Sequence, residues 1–122
     1  MLENGLEKIF TEKCKDRDIE CIKMNSLSSN DLPDRLCITR RGNVIWVELK
    51  RPHPNKGKEG KLRPAQELMI KELRDRKQLV YVIKSTRDID KFFINFSHLF
   101  NERSLADLDD EVRHFLDNQR SF

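Results

Sequence analysis

Pro33-Asp34-Arg35-Leu36-Cys37-Ile38-Thr39-Arg40-Arg41-Gly42-Asn43-Val44-Ile45-Trp46-Val47-Glu48-Leu49-Lys50 is the stretch on which the fold turns. Two apolar runs, Leu36 to Ile38 and Val44 to Leu49, flank the polar segment Arg40-Arg41-Gly42-Asn43. Apolar runs around a short segment with a glycine mark two antiparallel strands joined by a tight turn. The second run is apolar on both faces, with Ile45 and Val47 on one and Val44 and Trp46 on the other, so it reads as a central strand covered on both sides. Its end then turns charged, at Glu48 and Lys50. Alternate side chains of a strand share a face, so these two project together.

Asp34 lies one residue before the first strand and therefore at the same end of the hairpin as Glu48 and Lys50. The turn decides whether it shares their face. A three-residue loop, Arg41-Gly42-Asn43, pairs Arg40 with Val44 and sets Asp34 opposite Lys50 on the shared face. A two-residue loop, Arg41-Gly42, turns Asp34 away from Glu48. The three-residue form is expected, with Gly42 or Asn43 at positive φ.

Outward from the hairpin, Leu6, Ile9, Phe10 and Cys14 fall at helical spacing within Glu3 to Lys15, and Ile19 to Met24 reads as a short strand. Asn25 to Pro33 is a polar loop. On the other side, Arg51 to Arg63 holds Pro52, Pro54, Gly57 and Gly60 among lysines and reads as an extended loop. Pro64 suits the first turn of a helix running to about Arg76, and Leu79 to Ile83 reads as a second fully buried strand. Ser85 or Thr86 then caps a helix through Phe93 and Phe96. Ser104 to Asn118 predicts a C-terminal amphipathic helix. The pattern predicts an α/β fold with a mixed central sheet of about four strands, helices on both sides and that extra helix.

The chain has 122 residues, the length of one domain, with a core expected over about 3–97 and a helical extension over about 100–122. Its 24 basic and 21 acidic residues leave a net charge of only +3, so the sum does not point to a nucleic acid. Cys14, Cys21 and Cys37 are odd in number and lack CxxC spacing, which argues against a disulfide framework and a structural zinc site and for buried thiols in a reducing cytoplasm. No stretch approaches the roughly 18 apolar residues of a membrane span, and no signal peptide is legible.

Asp34 and Glu48, brought together without Cys or His nearby except the loop residue His53, make a hard oxygen-ligand site suited to Mg²⁺ or Mn²⁺. Such an ion lowers the pKa of a bound water and shields phosphate charge, and Lys50 can orient that water or stabilise the transition state. These are the parts of phosphodiester hydrolysis. The plainer alternative for Glu48 and Lys50 is an ion pair at a strand end.

Pro33-Asp34 followed by Glu48-Leu49-Lys50 resembles the Pro-Asp and Glu-x-Lys motif of the PD-(D/E)xK nucleases. Pro33-Asp34-Arg35-Leu36, Val47-Glu48-Leu49-Lys50-Arg51-Pro52 and Leu62-Arg63-Pro64-Ala65-Gln66 resemble more closely the VRR-NUC group, the virus-type replication and repair nucleases, over about Glu3 to Phe93. The resemblance implies that Asp34, Glu48 and the backbone carbonyl of Leu49 hold the metal. It makes Lys50 the catalytic lysine and Gln66 the glutamine that opens the next helix and approaches the site. The first helix of the family contributes an acidic residue, and Glu3 and Glu7 both match that stretch. Asn30-Asp31-Leu32 stands where relatives often carry a glycine before Pro-Asp.

Arg51, Lys56, Lys58, Lys61 and Arg63 with the single acid Glu59 form a basic segment leading from the site strand, a source of sequence-independent phosphate contacts or simply a solvated loop. Lys23 stands where the family often has a lysine that contacts the backbone. Arg40 and Arg41, at the far end of the hairpin, read as surface charge. His53, His98 and His114 are read as non-ligands, Phe92, Phe93, Phe96 and Phe100 as core, and Trp46 as packing under the site. The resulting expectation is a DNA endonuclease selective for branched substrates such as Holliday junctions, acting as a homodimer, because so small a domain has little surface for a duplex and because the resemblance is to a family whose minimal stand-alone members look like junction-resolving enzymes. The rivals are a catalytically silent DNA-binding or interaction module, an RNA or sugar-phosphate hydrolase, and a restriction-type enzyme.

Overall fold

The computed structural model describes residues 5–24, 31–50 and 61–100. In chain order the elements are α1 (Gly5–Asp16), β1 (Glu20–Lys23), β2 (Arg35–Ile38), β3 (Val44–Leu49), α2 (Pro64–Asp75), β4 (Leu79–Ile83) and α3 (Thr86–Asn95), followed by a 3₁₀ turn at Ser97–Leu99. The strands form one sheet in the order β1-β2-β3-β4, antiparallel except for the β3–β4 pair, which is parallel. A parallel pair needs a crossover, and α2 provides it. This is the α/β architecture the sequence pattern predicts. Residues 25–30 of the loop expected over Asn25 to Pro33, residues 51–60 of the loop expected over Arg51 to Arg63, the helix expected over Ser104 to Asn118, and Glu3 lie outside the described residues.

The hairpin has a three-residue loop, but one residue earlier than expected. Ile38 pairs with Val44 and Arg35 with Val47, and the Thr39 N–H donates to the Asn43 carbonyl at 3.0 Å. The loop is therefore Arg40-Arg41-Gly42. Gly42 donates back to the Thr39 carbonyl at 2.9 Å and takes φ +88°, a conformation that costs an L side chain strain and glycine little. A type I turn followed by a left-handed residue puts that residue last in the loop, which explains why Gly42 closes it. Continuing the register by one residue sets Asp34 opposite Glu48, and the expected pairing with Lys50 is corrected by two positions. The two registers have the same parity, so Asp34 stays on the face of Glu48.

Paired residues share a face of a sheet, and this sorts the layers. Cys37, Ile45, Val47 and Ile83 face one way and pack with Leu6, Phe10 and Cys14 of α1 and Ile89, Phe92 and Phe93 of α3. The α1 residues recur every four positions, the stripe a helix needs to bury one side. Phe10, Phe92 and Phe93 meet ring to ring, with Phe96 and Phe100 against them, as the phenylalanine spacing predicts. Truncating Phe92, which is fully buried, costs about 3–5 kcal/mol by analogy with similar core deletions. The opposite face carries Trp46, Glu48, Val80 and Val82, and α2 covers it with Ile70 and Gln66.

That second layer is thinner than the sequence suggests. On this face Val44 is exposed and Trp46 and Val82 are half-buried, so neither β3 nor β4 is covered along its full length. The reason is positional: β4 is an edge strand, and one helix of twelve residues roofs a face that α1 and α3 share on the other side. Helix ends are set locally. Ser85 accepts the Asp88 N–H at 3.2 Å and Asp88 in turn accepts the Lys84 N–H at 2.9 Å, an N-cap satisfying donors the helix leaves unpaired.

Candidate active site

The Asp34 carboxylate meets the end of β3 through backbone and side chain together. Its Oδ2 accepts the Leu49 N–H at 2.9 Å, while the Asp34 carbonyl accepts the Met24 N–H at 2.8 Å. The residue is thus pinned between β1 and β3, with buried Pro33 fixing the approach of the chain. In an extended strand the N–H and C=O of one residue point to the same side, so the Leu49 carbonyl also faces the Asp34 side of β3. Lys50 follows, its N–H held by the Ile83 carbonyl of β4 at 2.8 Å.

Glu48 is 1% exposed, and its Oε2 has no hydrogen-bond partner among the described residues. A buried carboxylate is costly without a countercharge or donors. Its carboxyl is accordingly pushed up to about 9, first by burial and then by the hydrogen-bonding and negative charge of Asp34, with Lys50 and Arg63 pulling the other way. The orphaned oxygen and the facing carboxylate have the chemistry of a hard-cation site: a divalent ion held by Asp34 and Glu48 would supply the partner Oε2 lacks. The residues present fit such an ion.

Arg63 and Gln66 bring the start of α2 to this site. Gln66 Oε1 accepts the Arg63 N–H at 2.9 Å, the side chain of one residue capping the helix that Pro64 opens. Gln66 is buried, as a residue that opens the helix beside the site is expected to be. Arg63 was read from the sequence as a phosphate contact. Here its guanidinium pairs with Asp31 at 3.3 Å and its charge reaches Glu48. Asp31 did not stand out in the sequence, because its partner lies 32 residues away and only the crossover brings the two together.

Glu7 takes a different place from the one the resemblance implies. Its Oε1 accepts from Arg35 Nε at 3.0 Å and Nη2 at 2.6 Å. Arg35 is paired with Val47, so this bidentate contact lies on the α1 face of the sheet, away from the face of Asp34 and Glu48. The structure does not bring Glu7 together with the acidic pair, because the half-buried Arg35 claims its carboxylate. Of the residues read as DNA contacts, Lys23 ends β1 and is exposed beside the Met24–Asp34 link, and Lys61 is exposed before α2. Arg51, Lys56 and Lys58, like His53 and His114, lie outside the described residues; His98 is exposed.

Trp46 shares the Glu48 face as expected and donates from Nε1 to Gln78 Oε1 at 3.4 Å. No described helix is long and apolar enough to cross a membrane.

Neither a scan of family models nor a comparison with curated proteins gives a match. Among solved structures, a VRR_NUC domain superposes with a TM-score of 0.66, covering 76% of this chain and 94% of that chain at 26% sequence identity. The shared architecture is the four-stranded mixed sheet with its three helices. A fold of this kind points to a nuclease. The four-stranded sheet and its three helices make the chain a structural match to the VRR_NUC domain, a family of the PD-(D/E)xK nucleases.

Proposed function

We propose that the chain is a divalent-cation-dependent deoxyribonuclease that hydrolyses phosphodiester bonds, with Asp34, Glu48 and the Leu49 carbonyl as cation ligands and Lys50 as the catalytic lysine. The observation that carries this reading is the buried, partnerless Glu48 Oε2 beside Asp34. A bound Mg²⁺ or Mn²⁺ would supply Lewis acidity toward water and the scissile phosphate.

The protein's own groups divide the remaining work. The Leu49 N–H holds the Asp34 carboxylate in place, so less motion is needed to form the site. Glu48 would hold such a cation as a carboxylate, its proton passing to solvent. Lys50 sets its ammonium on the Glu48 face, where it stabilises the added charge of the pentavalent phosphate. Arg63 adds a second positive charge near the same carboxylate and is itself positioned by Gln66 through its backbone. Lys23 and Lys61, with Arg51, Lys56 and Lys58, contribute phosphate attraction.

The preferred substrate is branched DNA such as a Holliday junction, cut by a two-fold homodimer whose paired sites address symmetry-related strands. The support is the small size of the domain and the absence, among the described residues, of any added element for reading base edges. The test is cleavage of labelled four-way junction, flap, duplex and single-stranded DNA with Mg²⁺, Mn²⁺ or EDTA, using wild type beside Lys50→Ala and Glu48→Ala. Metal-dependent cutting of the junction, lost in both variants, is the expected result. Binding without cutting under either metal replaces this reading with a silent DNA-binding module.

A further inference from the structure

The three cysteines of the chain come from three different elements, α1, β1 and β2, and converge. The sulfur atoms of Cys14, Cys21 and Cys37 all lie within 4.8 Å of one another, and Cys21 Sγ and Cys37 Sγ are 3.8 Å apart. Cys21 and Cys37 are direct register partners across the β1–β2 ladder. The Met24–Asp34 hydrogen bond fixes the alternation, so Cys21–Cys37 is a non-hydrogen-bonded pair, the kind in which side chains approach most closely. Cys14 enters from α1, above the pair. Cysteines used only as small apolar filler have no reason to gather in one place.

We propose that Cys14, Cys21 and Cys37 form a three-thiolate site for one soft metal ion of trigonal preference, with Cu(I) the best fit. Three sulfurs around an ion at a metal–sulfur distance of about 2.3 Å stand roughly 4 Å apart, which the cluster already approaches. An all-sulfur donor set selects soft ions over the hard cations suited to Asp34 and Glu48. Among the described residues the triangle lacks the fourth protein ligand of a closed structural zinc site.

Access and charge also agree. Cys14 and Cys37 are fully buried, while Cys21 is half-buried and lines an open pocket of about 330 Å³ that also holds Asp18, Glu20, Lys15 and Arg35. The carboxylates offer an entry path for a cation. Lys15 lines the same pocket as a countercharge for bound thiolates, and Arg35, which holds Glu7, donates from Nη1 to the Cys21 carbonyl at 3.4 Å. Binding forms three metal–sulfur bonds and releases three thiol protons to solvent, with no change of oxidation state. The site lies on the α1 face of the sheet, opposite Glu48, and does not depend on the nuclease reading.

The test is an anaerobic titration of reduced protein with Cu(I) held by bicinchoninate, with thiols counted before and after and sulfur-to-copper charge-transfer absorption recorded. One Cu(I) per chain withdrawn from the chelator, with all three thiols protected, is expected. Cys21→Val, at a half-buried strand position, should keep its circular dichroism and lower the affinity at least tenfold, and Cys14→Ala serves as the second variant. Copper left entirely with the chelator while three thiols titrate freely overturns the proposal in favour of plain packing. A wild type that takes no Cu(I) but forms a Cys21–Cys37 disulfide with peroxide overturns it in favour of a redox pair.

Discussion

The carboxylate of Asp34 accepts the backbone N–H of Leu49 at 2.9 Å, so one of its oxygens is committed to holding the end of β3. The proposed cation ligand and a scaffolding contact therefore meet in one side chain, and substitutions can separate them. Asp34→Asn retains an acceptor for the Leu49 N–H and removes the charge. It should melt within a few degrees of wild type and lose cleavage by on the order of 10²-fold or more. Asp34→Ala loses both functions and should in addition be destabilised by about 1–3 kcal/mol, the penalty of a part-buried N–H left unpaired. Urea unfolding and single-turnover cleavage of the two variants check this.

Glu48 stores an electrostatic penalty. Its folded carboxyl stands near 9 against an ordinary value of 4.5, chiefly through burial and then through Asp34. Below about pH 4.5 the group is protonated in both states and its contribution is fully present. As pH rises toward 9 the unfolded chain ionises while the folded chain must hold the proton, and the contribution is lost. Glu48→Gln, whose amide can donate to Asp34, should thus raise the cation-free melting temperature by on the order of 5 °C at pH 8, and by little at pH 5. The same variant should not cleave DNA. A Tm for Glu48→Gln equal to wild type at both pH values would contradict the penalty.

Added Mg²⁺ or Mn²⁺ should reverse that penalty in wild type and leave Glu48→Gln unchanged. Because binding displaces a proton from Glu48, the cation-induced rise in Tm should grow with pH through the window from 4.5 to 9. Lys50→Ala should keep the rise and bind DNA, yet cut it on the order of 10²-fold more slowly. Lys50→Arg should rescue it poorly, since a planar fork replaces a compact point charge. Thermal shift and cleavage read in parallel separate the two roles.

Lys23 and Lys61 are exposed, and a contact with phosphate predicts a defined salt dependence. Each Lys→Ala should weaken junction and duplex alike and reduce the slope of log K against log salt by about 1. Unchanged slopes would leave these lysines as solvated surface. Fluorescence anisotropy over a range of salt concentrations supplies the measurement.

Much of this was legible in the residues. The apolar runs gave the hairpin and the crossover helix because strand and helix periods differ, and parity alone placed Asp34 and Glu48 on one face. The register slipped by two because the loop was centred on Gly42, whereas a left-handed residue closes a three-residue loop rather than occupying its middle. The cover on β3 and β4 was overestimated because apolar composition does not reveal which strand ends at an edge. Glu7 matched by position along α1, yet Arg35, 28 residues away, decides which way its carboxylate is spent. The gathering of the cysteines had no spacing signal at all, since their meeting depends on how α1 lies over the β1–β2 ladder.

Asp34 and Leu49 are separated by only fifteen residues, and a tight turn joins their strands, whereas β4 reaches β3 only after α2 has crossed over. Closing a short hairpin takes microseconds, and non-local parallel pairing is slower. The acidic pair is therefore assembled by the fast, local part of the chain, and Arg63 and Gln66 arrive with the slow part. In folding kinetics, substitutions at Ile45 and Cys37 should register in the rate of folding, and those at Ile70 and Val80 mainly in the rate of unfolding. The chain would then pass through a stage in which the two carboxylates face each other beside Lys50 but without Arg63, the moment at which a divalent cation would have most to offer.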